Sequence, residues 1–219
     1  MRVSRSGALL LLAGWVTGCA AYRLAGQVQS GRQALLTHHP EAALGYFAQA
    51  AAQDPSYVAT YSLFRQGVLT YLGRSQYLTG RFAEARQSLE RALVLDAQDP
   101  MARLYLGLTL ARAAERDRGA KEMAVGLRGL YDWIEYTAAH RLTLGYWDPT
   151  GQIRNEIAKT LQLIEGRDFD LPTLFTNGEW VGKEIEEEIE RVRREEQRFL
   201  NDRDRRLRRG VSVGVGIGF

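Results

Sequence analysis

The stretch Leu69-Thr70-Tyr71-Leu72-Gly73 decides the reading of this chain, because its tripeptide Tyr71-Leu72-Gly73 returns as Tyr105-Leu106-Gly107. The two copies recur at a period of about 34 residues, the mark of a helical-hairpin repeat in which each unit buries its apolar face against the next. Small residues at Gly73, Ala85, Ala92 and Gly107 let helices approach closely, while Leu72, Phe82, Leu89 and Leu106 fill the seams between them.

Outward from the first copy, Arg81-Phe82-Ala83-Glu84-Ala85 reads as the turn into a second helix and Ala92-Leu93-Val94-Leu95-Asp96 as its end. Upstream, Ala43-x-x-x-Phe47, Ala50 and Asp54-Pro55 match the second half of an earlier unit. The step from Ala43 to Ala85 exceeds the period by about eight residues. This reading places the insertion in a lengthened first helix within 57–79. With Leu69-x-x-Leu72-Gly73, Gly80, Ala85, Leu89 and Ala92 in register, residues 24–140 resemble the tetratricopeptide repeat family. The resemblance implies an all-α solenoid that binds peptides or partner helices on a concave face lined by its first helices. Carried over position by position, that face comprises Arg32, Thr70, Arg74, Tyr77, Leu108 and Arg112. Arginines beside a tyrosine suit a carboxylate or acidic peptide.

Beyond residue 112 the pattern weakens. Met123, Leu127, Leu130, Tyr131, Ile134 and Ala138 share a helical face. Asp148-Pro149 reads as a cap and first-turn proline, opening a helix through Ile153, Ile157, Leu161 and Ile164. These helices are expected to continue and close the solenoid over residues 24–165, with a loop at 166–178.

Residues 179–209 read as one long charged helix with a narrow apolar stripe of Val181, Ile185, Ile189, Val192, Phe199 and Leu207. Pairs such as Glu187 with Arg191, Glu190 with Arg194 and Asp202 with Arg206 stand four apart in the favourable order. The stripe is expected to pack on the last repeat or to meet a partner helix, with Glu186, Glu187 and Glu188 solvated. Arg203 to Arg209 holds five arginines and one acid, which suits an anionic membrane surface better than nucleic acid in an exported protein. Residues 210–219 form a Gly/Val tail in which Val211, Val213, Val215, Ile217 and Phe219 alternate with Ser212 and the glycines. It reads as a loose tail, or as a strand that adds to the sheet edge of a β-barrel protein. Its terminal phenylalanine resembles the closing signal of outer-membrane barrel strands.

At the other end, Arg2 and Arg5 precede the apolar run Ala8 to Val16, too short to span a bilayer and typical of a secretory leader. Val16-Thr17-Gly18-Cys19 resembles the lipobox of bacterial lipoproteins, in which the cysteine is acylated and becomes the new terminus. That implies a signal peptide over 1–18, a lipidated tether over 19–23 with Cys19 as the lipidation site, and, from Ala20 after it, an outer-membrane anchor facing the periplasm. Cys19 is the sole cysteine, so its acylation rules out a disulfide. The leader takes with it two of the 29 basic side chains and none of the 26 acidic ones. The remainder is close to neutral, a balance that gives no general reason for nucleic-acid binding.

No catalytic pattern stands out. His38 and His39 fall in a turn, His140 ends a distant helix, and neither a phosphate-binding loop nor a nucleophile elbow is present. The expectation is a non-enzymatic scaffold or adaptor of the cell envelope with protein partners (peptide or helix) and a lipid anchor, without cofactor, metal, nucleic acid or small-molecule substrate. An assembly factor using the tail and a cell-wall or glycan hydrolase are the alternatives.

Overall fold

The computed structural model describes residues 22–140, 146–166 and 169–211, with side chains as far as Leu207. Cys19 and the tail positions Val213, Val215, Ile217 and Phe219 lie outside the described residues. The described chain is predominantly helical, as expected of an all-α protein. Its helices are α1 (residues 22–36), α2 (Pro40–Gln53), α3 (Val68–Leu78), α4 (Phe82–Leu95), α5 (Pro100–Arg112), α6 (Arg116–His140), α7 (Gln152–Gly166) and α8 (Leu171–Val211). A two-stranded antiparallel sheet, β1 (Val58–Tyr61) with β2 (Phe64–Gly67), stands between α2 and α3.

Local chemistry sets the helix ends. Pro40 and Pro100 open α2 and α5, and the Asp99 carboxylate caps α5 by accepting from the Ala102 N–H at 3.0 Å. Gly80 carries a positive φ of 77° just past α3, where an added Cβ would be strained. The Arg81 N–H returns to the Gln76 carbonyl at 2.8 Å, and α4 starts at once. Helices α5 and α6 are antiparallel and nearly touch. Gly126 sits against Leu104 and Pro100, and Gly107 against Met123 and Gly119; a Cβ on Gly107 would come within 2.5 Å of the Met123 amide nitrogen. Gly73, the matching glycine of the repeated tripeptide, meets the Leu89 side chain of α4 instead.

The inserted residues form the β-hairpin, not a lengthened first helix. Val58, Thr60, Tyr61 and Phe64 are β-branched or aromatic, and their burial alternates along each strand, so the segment behaves as a half-buried ribbon. Phe64 anchors it, meeting Trp133 edge-on at 5.1 Å and Trp147 at 5.8 Å between ring centroids. Such offset and edge-on contacts are the favoured aromatic arrangements.

Two apolar clusters result. The smaller holds α1, α2 and the start of α3 around Phe47, which stacks on Tyr71 at 4.8 Å. The larger runs from α3 to α8, and Ala51, Tyr61 and Leu72 pack against both.

Three further points stand against the sequence. Helix α8 begins at Leu171, well before the expected start, so most of the expected loop is helical, and Val211 ends the helix instead of opening a strand. Helix α7 starts at Gln152, three positions after Pro149, because Asp148 caps from a distance, accepting from the Ile153 and Arg154 N–H groups at 3.1 and 3.0 Å. Among the described residues no helix is long and apolar enough to cross a membrane.

Candidate functional site

Four of the concave-face candidates meet carboxylates of the protein's own α8, Arg32 and Arg74 at Glu186 and Tyr77 and Arg112 at Glu179. Glu186 of α8 is 1% exposed, and its two carboxylate oxygens accept from Arg32 Nε of α1 at 2.5 Å and Arg74 Nη1 of α3 at 3.0 Å. Both guanidiniums also lie over phenol rings, Arg32 3.7 Å from the Tyr61 centroid and Arg74 5.4 Å from that of Tyr105. The negative ring faces attract the cations. Burial works against the charge on Arg32, yet Glu186 and the neighbouring phenols hold its pKa above the usual arginine value. Burial pushes Tyr61 up to about 12, partly offset by Arg32.

Two cations face one anion in this interior. Arg32 Nη2, Arg74 Nε and the Tyr71 hydroxyl, all buried, have no hydrogen-bond partner within the protein. Such donors mark a place where water or a ligand's oxygen would be stabilised.

Two helical turns back along α8, Glu179 accepts from the Tyr77 hydroxyl at 2.6 Å and from Arg112 Nη2 at 3.2 Å. Burial and the Glu179 hydrogen bond together raise the Tyr77 pKa. Arg112 lies over Phe175, 3.8 Å from its centroid, and stays partly open to solvent. Leu108 is buried under Gly178, and Gly182 is pressed against Tyr105, so the glycines of α8 permit its close seating on α5. Thr70 has a different role: buried, it donates to Asp99 at 2.6 Å and helps hold the α5 cap. Burial raises the Asp99 pKa, against the opposing effect of the Thr70 and Ala102 hydrogen bonds.

The α8 stripe Val181, Ile185, Ile189 and Val192 is fully buried, and α8 rests across α1, α3, α5 and α7 instead of the last hairpin alone. Glu186 and Glu188 are accordingly not solvated. Glu188 accepts from the Asp148 N–H and from Arg191, which also donates to the Tyr146 carbonyl, tying the segment before α7 under α8. The charge pairs differ from the expected set: Arg191 takes Glu188 and Glu195, Arg193 takes Glu190, and Lys183 takes Glu187.

Beside the Arg74–Glu186 pair a cleft of about 490 Å³ remains open. The α1–α2 turn contributes Leu35 and His38, α3 and α5 contribute Arg74 and Tyr105, and α8 contributes Trp180 and Lys183. Glu179 lines it as well, so apolar and aromatic side chains stand beside charges of both signs, which suits a peptide with an apolar or aromatic side chain. Among known proteins the chain matches no family model, no curated sequence and no solved structure.

Sequence reasoning selected Arg32, Arg74, Tyr77 and Arg112 but missed Glu179, Glu186, Tyr105 and Trp180, with which they assemble. The missed signal lay within the stripe itself. At helical spacing, Gly178, Gly182 and Glu186 share a face with Val181, Ile185 and Ile189. Two glycines and one carboxylate on an apolar face denote close packing and a buried ion pair. Among the described residues no cluster of His, Cys, Asp or Glu is arranged to hold a metal ion.

Proposed function

We propose that the protein is a lipid-anchored, non-catalytic scaffold of the bacterial envelope, built from tetratricopeptide-like hairpins, that holds a peptide or helix of a protein partner. Helix α8 stands where such arrays take a ligand, so most of that face is used internally. The partner is received in the cleft that α8 leaves open beside Arg74.

One observation carries this reading: an open cleft remains between α8 and the end of α1, with Leu35 and Trp180 as apolar walls and Lys183 at its edge. A partner's apolar side chain would pack on Trp180 and Leu35, with its charged groups beside Lys183 and Glu179. The anchor is supported by the sequence Val16-Thr17-Gly18-Cys19.

Crosslinking in native envelopes followed by mass spectrometry tests the proposal. Wild-type protein is expected to yield a defined partner, and Trp180→Ala or Lys183→Glu to lose it without loss of the fold. An unchanged crosslink pattern in both variants would remove the cleft from the reading. Cys19→Ser is expected to abolish palmitate incorporation.

A further inference from the structure

Helix α8 outruns the body that holds it. Val192 is its last buried residue, and every residue from Gln197 to Leu207 is exposed, including Phe199, Leu200 and Leu207. From Gln197 to Arg209 this free end carries six arginines, Arg198, Arg203, Arg205, Arg206, Arg208 and Arg209, against two acids, Asp202 and Asp204. The ion pairs that Arg203 and Arg205 form with Asp204 and Asp202 are exposed and long, at 4.0 and 3.7 Å. Pairs of that kind compete weakly with another anion.

The direction of this end is fixed by contacts already described. Arg32 of α1 meets Glu186, while Leu35 and His38 face Thr176 to Lys183 across the cleft. Numbers rise along α1 as they fall along α8, so the two helices are antiparallel. The described start of α1 therefore points the same way as the arginine-rich end of α8.

Lengths decide how far each reaches. From the level of the Arg32–Glu186 pair, Tyr22 lies about 15 Å along α1 and Arg203 about 25 Å along α8, at about 1.5 Å per helical residue. The three residues from Tyr22 back to Cys19 span at most roughly 10 Å. Arg203 is thus level with the farthest point Cys19 can occupy along that axis, and the turns after Arg203 pass beyond it.

We propose that the projecting end of α8, Phe199 to Leu207, is a second membrane contact, seated on the anionic phospholipid surface that holds the lipid on Cys19. The inference rests on the anchored reading above. The arginine forks pair with lipid phosphates, and Phe199, Leu200 and Leu207 enter the boundary between headgroups and acyl chains. Two separated contacts fix the tilt of the body as well as its attachment, which a lipid on Cys19 alone does not.

Vesicle flotation of the full chain carrying Cys19→Ser tests the arm without acyl chains. Binding is expected to rise when phosphatidylglycerol is added to phosphatidylcholine vesicles and to fall at high salt. Adding Arg203→Glu, Arg205→Glu and Arg206→Glu is expected to weaken the phosphatidylglycerol-dependent binding by on the order of 100-fold. The leader is common to both chains and cancels, and the exposed substitutions leave the melting temperature unchanged. Equal binding by the two chains, or binding indifferent to phosphatidylglycerol, overturns the proposal. Palmitate labelling of the wild type reads the anchor separately: label without phosphatidylglycerol-dependent flotation overturns the arm alone, and flotation without label overturns the anchor alone.

Discussion

Gly182 of α8 lies so close to the Tyr105 ring of α5 that any Cβ there would overlap the phenol hydroxyl and approach its Cζ to 2.8 Å. Adding one methyl group at this seam must either lift α8 or displace Tyr105 from beneath Arg74. Gly182→Ala is expected to cost about 1–3 kcal/mol in urea unfolding, with partial recovery when Tyr105→Phe removes the obstructing oxygen. A neutral Gly182→Ala would contradict the close seating of α8.

Glu186 is the only carboxylate bonded to Arg32 or Arg74 among the ion pairs of the described residues. Its removal leaves two buried cations in an apolar wall. Glu186→Ala is therefore expected to destabilise by about 3–5 kcal/mol, while Arg32→Met, Arg74→Met and Glu186→Leu combined stay within about 2 kcal/mol of wild type. Thermal melts of the two chains give the comparison. Similar losses in both would mean the charges stabilise the fold outright.

The repeated tripeptide yields a pair of variants with the same chemistry and different costs. A Cβ on Gly73 meets chiefly the Leu89 side chain, with Cγ at 2.5 Å, which can rotate aside. On Gly107 it meets backbone, the Met123 nitrogen at 2.5 Å and the Gly119 oxygen at 2.6 Å, which cannot. Gly107→Ala should lose more stability than Gly73→Ala, by about 1–2 kcal/mol. The reverse order in chemical denaturation would refute the packing described for α5 and α6.

Asp99 imposes a pH dependence whose sign follows from its raised pKa. Burial favours the protonated form in the folded state. Its contribution is therefore fully present below the unfolded carboxylate pKa of about 3.9 and is lost as pH rises through the higher folded value. Asp99→Asn retains an oxygen for the Ala102 N–H and cannot ionise. The variant's stability relative to wild type should therefore increase across that rise and level off above it. A constant difference between strongly acidic and neutral pH would exclude Asp99 as the titrating group.

The helical character of the chain was legible because small residues and seam-filling residues recur at helical spacings. Gly73 and Gly107 are both points of helix contact. The β-hairpin was hidden because a short insertion inside a helical pattern carries no periodicity of its own, and Phe64 is positioned by Trp133 and Trp147, distant in sequence. Arg32, Arg74, Tyr77 and Arg112 all bond to carboxylates of α8. The identity of their partner was obscured by a charged helix whose many exposed glutamates made Glu186 and Glu188 look like the rest. Only the three-dimensional seating of α8 separates the two buried carboxylates from their neighbours.

The Arg32–Glu186 contact joins residues 154 positions apart, near opposite ends of the described chain. During synthesis the first helix emerges with a cation it cannot bury until almost the whole polypeptide has left the ribosome. Any nascent fragment that stops short of Glu186 therefore lacks the counter-ion of both Arg32 and Arg74.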